Sequence, residues 1–158
     1  MQYTREEAAR LVETYGDMIL RLCHSWLRSP HDAEDICQTV FLKVLERGRT
    51  FESSAHEKAF LIRMTINACK DELKAARRRN VALDACPEQT VPASSGGVLA
   101  EAIAALNENY RIVIYLHYYE GYTAREIASF LRVPVPTVTT RLRRARAQLG
   151  KLLEGGER

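Results

Sequence analysis

Apolar residues recur along this chain at the spacing of an α-helix, and the alternation of a β-strand is found nowhere in it. Leu11, Tyr15, Met18, Ile19, Leu22, Cys23, Trp26 and Leu27 form one stripe and predict a long first helix. Ser29-Pro30 stops that helix and supplies an N-cap and a first-turn proline for the next. The second helix runs to about Glu46, with Ala33, Ile36, Cys37, Val40, Phe41, Val44 and Leu45 inward. Asp32, Glu34 and Asp35 crowd its first turn, where the helix dipole favours negative charge. Gly48–Glu57 is polar and predicts a loop. A third helix, about Glu57–Arg79, turns Phe60, Leu61, Met64, Ala68 and Leu73 inward and ends in Lys74, Arg77, Arg78 and Arg79.

The pattern then breaks. Asn80–Gly97 holds two prolines, two serines and two glycines and predicts a linker between a first domain, 1–79, and a second, 98–154. Its 18 residues span roughly 60 Å fully extended and roughly 25 Å as a flexible coil, enough to let the two domains reach well-separated points. Helices follow at Val98–Leu106 and Asn109–Tyr119, with Gly121 placed as a left-handed C-cap. Thr123 and Glu126 form a capping box that starts a helix at Ala124, with Ile127, Ala128 and Leu131 on one face. Arg132–Val133–Pro134 breaks it, and a last helix opens near Pro136. Its apolar residues Val138, Leu142, Ala145 and Leu149 fall within about 60° of one another, a narrow buried seam. The expected architecture is all-α: three or four helices in the first domain, and four in the second, ending in a helix-turn-helix.

What lies opposite that seam points to function. Thr139, Thr140, Arg143 and Arg144 project away from it, Arg141 and Arg146 flank it, and Lys151 follows a turn later. Between Thr137 and Leu153 there are five basic residues and no acidic one, which suits a helix lying in the DNA major groove. A merely solvated basic face is the competing explanation; the capped preceding helix and the short turn favour a DNA reader. With a net charge of only +3, binding has to come from such local patches. The sequence contains no run of 18 apolar residues, and Met1–Arg10 is charged, so no membrane insertion and a cytoplasmic location are expected. Cys23, Cys37, Cys69 and Cys86 are spread singly, without CxxC or zinc spacing, and are expected to be small buried hydrophobes in a reducing compartment. No metal site, cofactor or catalytic constellation is expected, hence no enzyme.

Three segments in order carry a resemblance: DAEDICQTVFLKVL (Asp32–Leu45), AFLIRMTINACKDELKAARRR (Ala59–Arg79) and YTAREIASFLRVPVPTVTTRLRRARAQL (Tyr122–Leu149). Together they resemble an extracytoplasmic-function sigma factor of the sigma-70 family of bacterial RNA polymerase. The most specific parts are AEDxxQxxFLKV and PxxTVxxRLxRAR. The resemblance implies that the helix Asp32–Leu45 docks on the clamp helices of the polymerase's largest subunit, through Asp32, Asp35, Gln38 and Leu42. It implies that Ala59–Arg79, with the loop before it, reads and melts the promoter −10 element. Phe60, Arg63, Asn67, Lys70, Lys74, Arg77 and Arg78 are the matching positions, and Arg49–Glu57 would line a pocket for an unstacked base at a cost of about a few kcal/mol. The −35 element would be met by Thr137, Thr139, Thr140, Arg141, Arg143, Arg144 and Arg146. Tyr115–Tyr119 or Leu152–Leu153 would either meet the polymerase flap tip or fill an ordinary core.

The same resemblance leads one to expect an anti-sigma factor as a further partner, besides core polymerase and promoter DNA, and no extra C-terminal domain. Two departures stand out. Pro136 replaces the usual small residue before the recognition helix, and Phe60 stands where many relatives have Trp. The alternative is a free-standing helix-turn-helix repressor or activator whose first half dimerises or senses an effector. An acidic helix and a basic helix separated by a polar loop favour the sigma-factor reading.

Overall fold

The computed structural model describes residues 4–27, 29–48, 51–83 and 97–156, and every regular element among them is helical. The chain divides into two compact units, Met1–Glu88 and Gln89–Arg158.

The first unit is built from α1 (Arg5–Trp26), α2 (Pro30–Arg47) and α3 (Ser54–Leu83), each packed on the other two. Thr4 and Glu7 form a capping box that starts α1. All eight residues of the predicted α1 stripe are buried. Ser29 caps α2 through a 3.3 Å bond from the Asp32 amide, with Pro30 in the first turn. Gly48, at φ 54°, ends α2 in the left-handed conformation that only glycine adopts without a steric penalty. Of the residues expected inside from α2, Ala33, Val40, Phe41 and Val44 are buried, while Ile36, Cys37 and Leu45 are half-buried.

α3 departs from expectation in two ways. It starts at Ser54, because the Ser53 side chain accepts from the His56 amide at 3.1 Å and caps the helix three residues early. It also runs on to Leu83, into the segment expected as linker; 84–96 lie outside the described residues. The buried face is Leu61, Ile62, Thr65, Ile66 and Cys69, whereas Phe60, Met64, Ala68 and Leu73 are half-buried. The face is rotated because two polar residues can be buried on it. The Thr65 hydroxyl donates to the Leu61 carbonyl at 2.7 Å, and the Cys69 thiol is hydrogen-bonded with Cys23 of α1.

The second unit surrounds α7 (Val135–Gly156), against which α4 (Gly97–Ala105), α5 (Glu108–Ile114) and α6 (Ala124–Leu131) all pack. Asn107 caps α5, accepting from the Tyr110 amide at 3.0 Å. The guanidinium of the buried Arg111 donates to the Leu106 carbonyl and ties α5 to the end of α4. Past Ile114 the helix widens into a π-helical turn, Tyr115–Tyr119, and Gly121 then leaves it at φ 80°, in the left-handed position predicted for it.

Candidate nucleic-acid interface

The geometry of the helix-turn-helix follows from its caps. Thr123 Oγ1 accepts from the Glu126 amide at 3.2 Å and Glu126 Oε1 accepts from the Thr123 amide at 3.0 Å, so the predicted capping box is present. α6 ends at Arg132, which takes the left-handed conformation at φ 58°, and the Val133 amide closes the turn on the Ala128 carbonyl at 3.1 Å. The Pro134 carbonyl then accepts the first bond of α7, from the Thr137 amide at 3.0 Å. Val135 and Pro136 occupy the opening turn, where a missing N–H costs nothing.

Val138, Leu142 and Ala145 are buried and Leu149 is half-buried, so the seam of α7 is sealed against its unit. Opposite it, Thr139, Arg143 and Arg144 are exposed and Thr140 is half-buried; Thr137 and Arg141 are half-buried at the margins, and Arg146 is exposed on a flank. Thr139 Oγ1 donates its proton to the Pro136 carbonyl at 3.0 Å. Its outward lone pairs therefore present an acceptor, of use against an adenine or cytosine amino group.

In the first unit the polar positions gather into two further faces. His31, Asp35, Gln38 and Leu42 follow at i, i+4, i+7 and i+11 along α2 and all are exposed, Leu42 at 60%. An exposed leucine beside a carboxylate and an amide gives this side of α2 a mixed polar and apolar surface. Asp32 is half-buried at the cap, and His31 Nε2 lies 3.6 Å from Asp35 Oδ2. On α3, Arg63, Asn67, Lys70, Lys74, Arg77 and Arg78 fall within about 100° of one another, away from the buried face. All are exposed except Lys70, which is half-buried. Arg79 is held on Glu72 at 2.8 Å.

Phe60 is half-buried and packs on Phe51 at 5.2 Å, and Phe51 in turn meets the edge of His56 at 5.4 Å. Phe51, an aromatic in an otherwise polar connection, is a member of this surface that periodicity could not reveal. The expected pocket loop is shortened by the early start of α3. Glu57 belongs to the helix and is buried: Arg10 grips it at 3.0 and 3.3 Å and the Tyr15 hydroxyl donates to it at 2.9 Å. Glu57 therefore cannot line a base pocket, while Arg49 and Thr50 lie outside the described residues. The flap-facing candidates divide. Leu116 is buried as core, whereas Tyr118, Tyr119 and Leu152 are exposed, and Tyr115 stacks on Tyr119 at 5.2 Å.

The electrostatics offer little reactive chemistry. Burial pushes the Glu57 carboxyl up, but the hydrogen bonds and charge of Arg10 and the Tyr15 hydroxyl outweigh it and hold the group below the usual carboxylate range. A hydrogen bond with Cys69 and then burial push the Cys23 thiol far up, and burial raises Cys37 to about 11, so both stay protonated. Burial lowers His24 despite the nearby Glu34. Among the described residues no group of three His, Cys, Asp or Glu side chains is placed to hold a metal ion, and no helix is long and apolar enough to cross a membrane.

Comparison with known proteins gives these faces a context. The family model for sigma-70 region 2 matches residues 11–79, and that for sigma-70 region 4 matches residues 97–149. The chain is 31% identical to the ECF RNA polymerase sigma factor SigL of Mycobacterium tuberculosis, covering 86% of this chain and 84% of that one. It is 29% identical to the ECF RNA polymerase sigma factor SigW of Bacillus subtilis, covering 92% and 88%. The sigma factor RpoE of Bartonella quintana, solved with the anti-sigma factor NepR, shares the fold with a TM-score of 0.75 at 20% identity, over 92% of this chain and 96% of that one.

Two sigma-70 regions in this order, on this helical frame, define a promoter-recognition subunit of bacterial RNA polymerase. The chain belongs to the extracytoplasmic-function group of the sigma-70 family, and its function is to direct promoter-specific transcription initiation.

Proposed function

We propose that the three exposed faces divide the work of initiation between a first domain, 1–79, and a second, 98–154, joined by a linker, 80–97. Asp32, Asp35, Gln38 and Leu42 of α2 dock on the clamp helices of core polymerase. The α3 stripe from Arg63 to Arg78, with Phe60 at its head, takes the non-template strand of the −10 element. Asn67 offers an amide to a base edge, and Lys70, Lys74, Arg77 and Arg78 neutralise phosphates. α7 enters the major groove at the −35 element with Thr137, Thr139, Thr140, Arg143 and Arg144 toward the bases and Arg141 and Arg146 toward the backbone.

The chain acts in the cytoplasm and is not itself an enzyme; RNA synthesis belongs to the core. Tyr119 and Leu152 serve the flap tip, and an anti-sigma factor restrains the protein by covering its polymerase-binding faces; the structural relative RpoE is itself bound to an anti-sigma factor, NepR.

The observation that carries this reading is the contrast on α7: a sealed apolar seam on one side, and exposed Thr139, Arg143 and Arg144 on the other. The test is reconstituted transcription. Core polymerase with the full chain is expected to initiate from promoters selected out of a random library, and core alone is not. Absence of core binding, together with tight duplex binding by the chain alone, would instead establish an independent operator-binding protein.

A further inference from the structure

Arg146 stands on the flank of α7, and its Nη1 donates a 2.7 Å hydrogen bond to the hydroxyl of Tyr118, 28 residues earlier in the chain. Tyr118 sits on the π-helical turn and is 54% exposed. Its ring is nonetheless held from behind. It meets His117 edge-on at 4.8 Å, and His117 Nδ1 lies 2.8 Å from the Tyr122 carbonyl. A carbonyl only accepts, so Nδ1 carries the proton and the imidazole is oriented by that bond. The Tyr122 ring in turn stands edge-on to the buried Phe130 of α6 at 4.9 Å. A continuous series of contacts thus runs from the interior of the helix-turn-helix to one exposed guanidinium.

The chemistry of the contact matters. A carboxylate at this place would orient Arg146 but neutralise it. A phenol hydroxyl is uncharged, so it limits the rotamers of a long side chain and leaves the full positive charge and the other N–H groups of the fork for a second acceptor. On the flank of a helix read as lying in the major groove, the acceptor of matching charge is a backbone phosphate. We infer that Tyr118 is a positioning residue for DNA binding: it holds the Arg146 guanidinium against a phosphate of the −35 duplex beside α7. This inference rests on the reading of α7 as the −35 helix.

A phosphate contact is independent of sequence, so the test uses the full chain and a mixed-sequence duplex of about 30 base pairs, followed by fluorescence anisotropy from about 50 to about 200 mM salt. Arg146→Ala is expected to weaken binding about tenfold at the low-salt end and to reduce the slope of log affinity against log salt by about 0.9. Tyr118→Phe keeps the ring on His117 and removes only the hydroxyl; it is expected to cost about threefold. That loss should disappear when Arg146 is already alanine. An unchanged affinity for Tyr118→Phe, or an equal loss in both backgrounds, would overturn the positioning role. If Arg143→Ala and Arg144→Ala also leave duplex binding unchanged, the assignment of α7 to DNA fails. If they weaken it while Tyr118→Phe does not, only the role of Tyr118 fails.

Discussion

Tyr15 of α1 donates a 2.9 Å hydrogen bond to Oε1 of Glu57, the carboxylate that opens α3 and that Arg10 grips through both oxygens. The head of α3 is thereby fastened to α1 by one buried charge with three donors. The Glu57 carboxyl is held below its usual range. A carboxyl whose folded pKa is depressed contributes stability that is fully present above its unfolded value, near 4.3, and is lost as pH falls through the folded value. Glu57→Gln should therefore lower the stability of the first unit by about 1–3 kcal/mol at neutral pH, and the deficit should shrink below about pH 4. The chain has one tryptophan, Trp26, and it is buried in this unit, so its fluorescence in urea unfolding at several pH values reads the effect. A deficit that stays constant down to the acid limit would show that the Glu57 charge contributes nothing.

That fastening also marks where sequence reasoning ran out. Runs with one environment per face are legible: the whole α1 stripe, the seam of α7, and the Thr123–Glu126 capping box, whose chemistry is local. The face of α3 was not. Periodicity favoured Phe60, Met64 and Ala68 over Thr65 and Cys69, because the burial of a hydroxyl or a thiol depends on partners that apolar spacing does not reveal. The burial of Glu57, which the sequence places at the boundary of loop and helix, is hidden for the same reason: its three donors come from a helix more than forty positions away. Among the candidate site residues, the outward positions Thr139, Thr140, Arg143 and Arg144 of α7 follow from helical geometry, whereas the α2 positions rest on the family resemblance. The contact between Tyr118 and Arg146 arises only when α7 is packed on its unit.

Arg132 provides a test of backbone strain. It is the non-glycine residue of positive φ among those described, at 58°, and it ends α6 where glycine is the usual occupant. Arg132→Gly should stabilise the second unit by about 0.5–1 kcal/mol, since the side chain is exposed and the left-handed conformation then carries no penalty. Arg132→Ala retains the penalty and should give no gain. Amide hydrogen exchange along α6 and α7 measures both, and a gain with alanine equal to that with glycine would refute strain as the cause.

Asp35 offers a test that separates the proposed polymerase docking from DNA binding. It is exposed on the α2 face with Gln38 and Leu42, in a different unit from α7. Asp35→Lys should weaken binding to core polymerase by about tenfold or more through like-charge contact, while the affinity of the chain for duplex DNA does not fall. Titration of labelled protein with core reads the first quantity and anisotropy on a duplex reads the second. Undiminished core affinity would remove Asp35 from the docking face.

On the proposed reading of α7 as the −35 helix, Arg143 and Arg144 decide how it reads DNA. Both are exposed opposite the sealed seam, and both face the groove if the helix docks with that seam outward from the duplex. An arginine that grips a guanine edge through two hydrogen bonds loses about 1–3 kcal/mol on truncation, and only where that base pair is present. An arginine on a phosphate loses its contribution on every sequence, with a salt slope smaller by about 0.9. Alanine variants of each, assayed with core polymerase on promoters altered one base pair at a time in the −35 element, should show selectivity relaxed at a single position. A uniform loss across all promoters would make the residue a backbone contact and leave specificity to Thr139 and Thr140. Thr139 has already given its proton to the Pro136 carbonyl. It can then read only a donor, so its partner would be the amino group of adenine or cytosine.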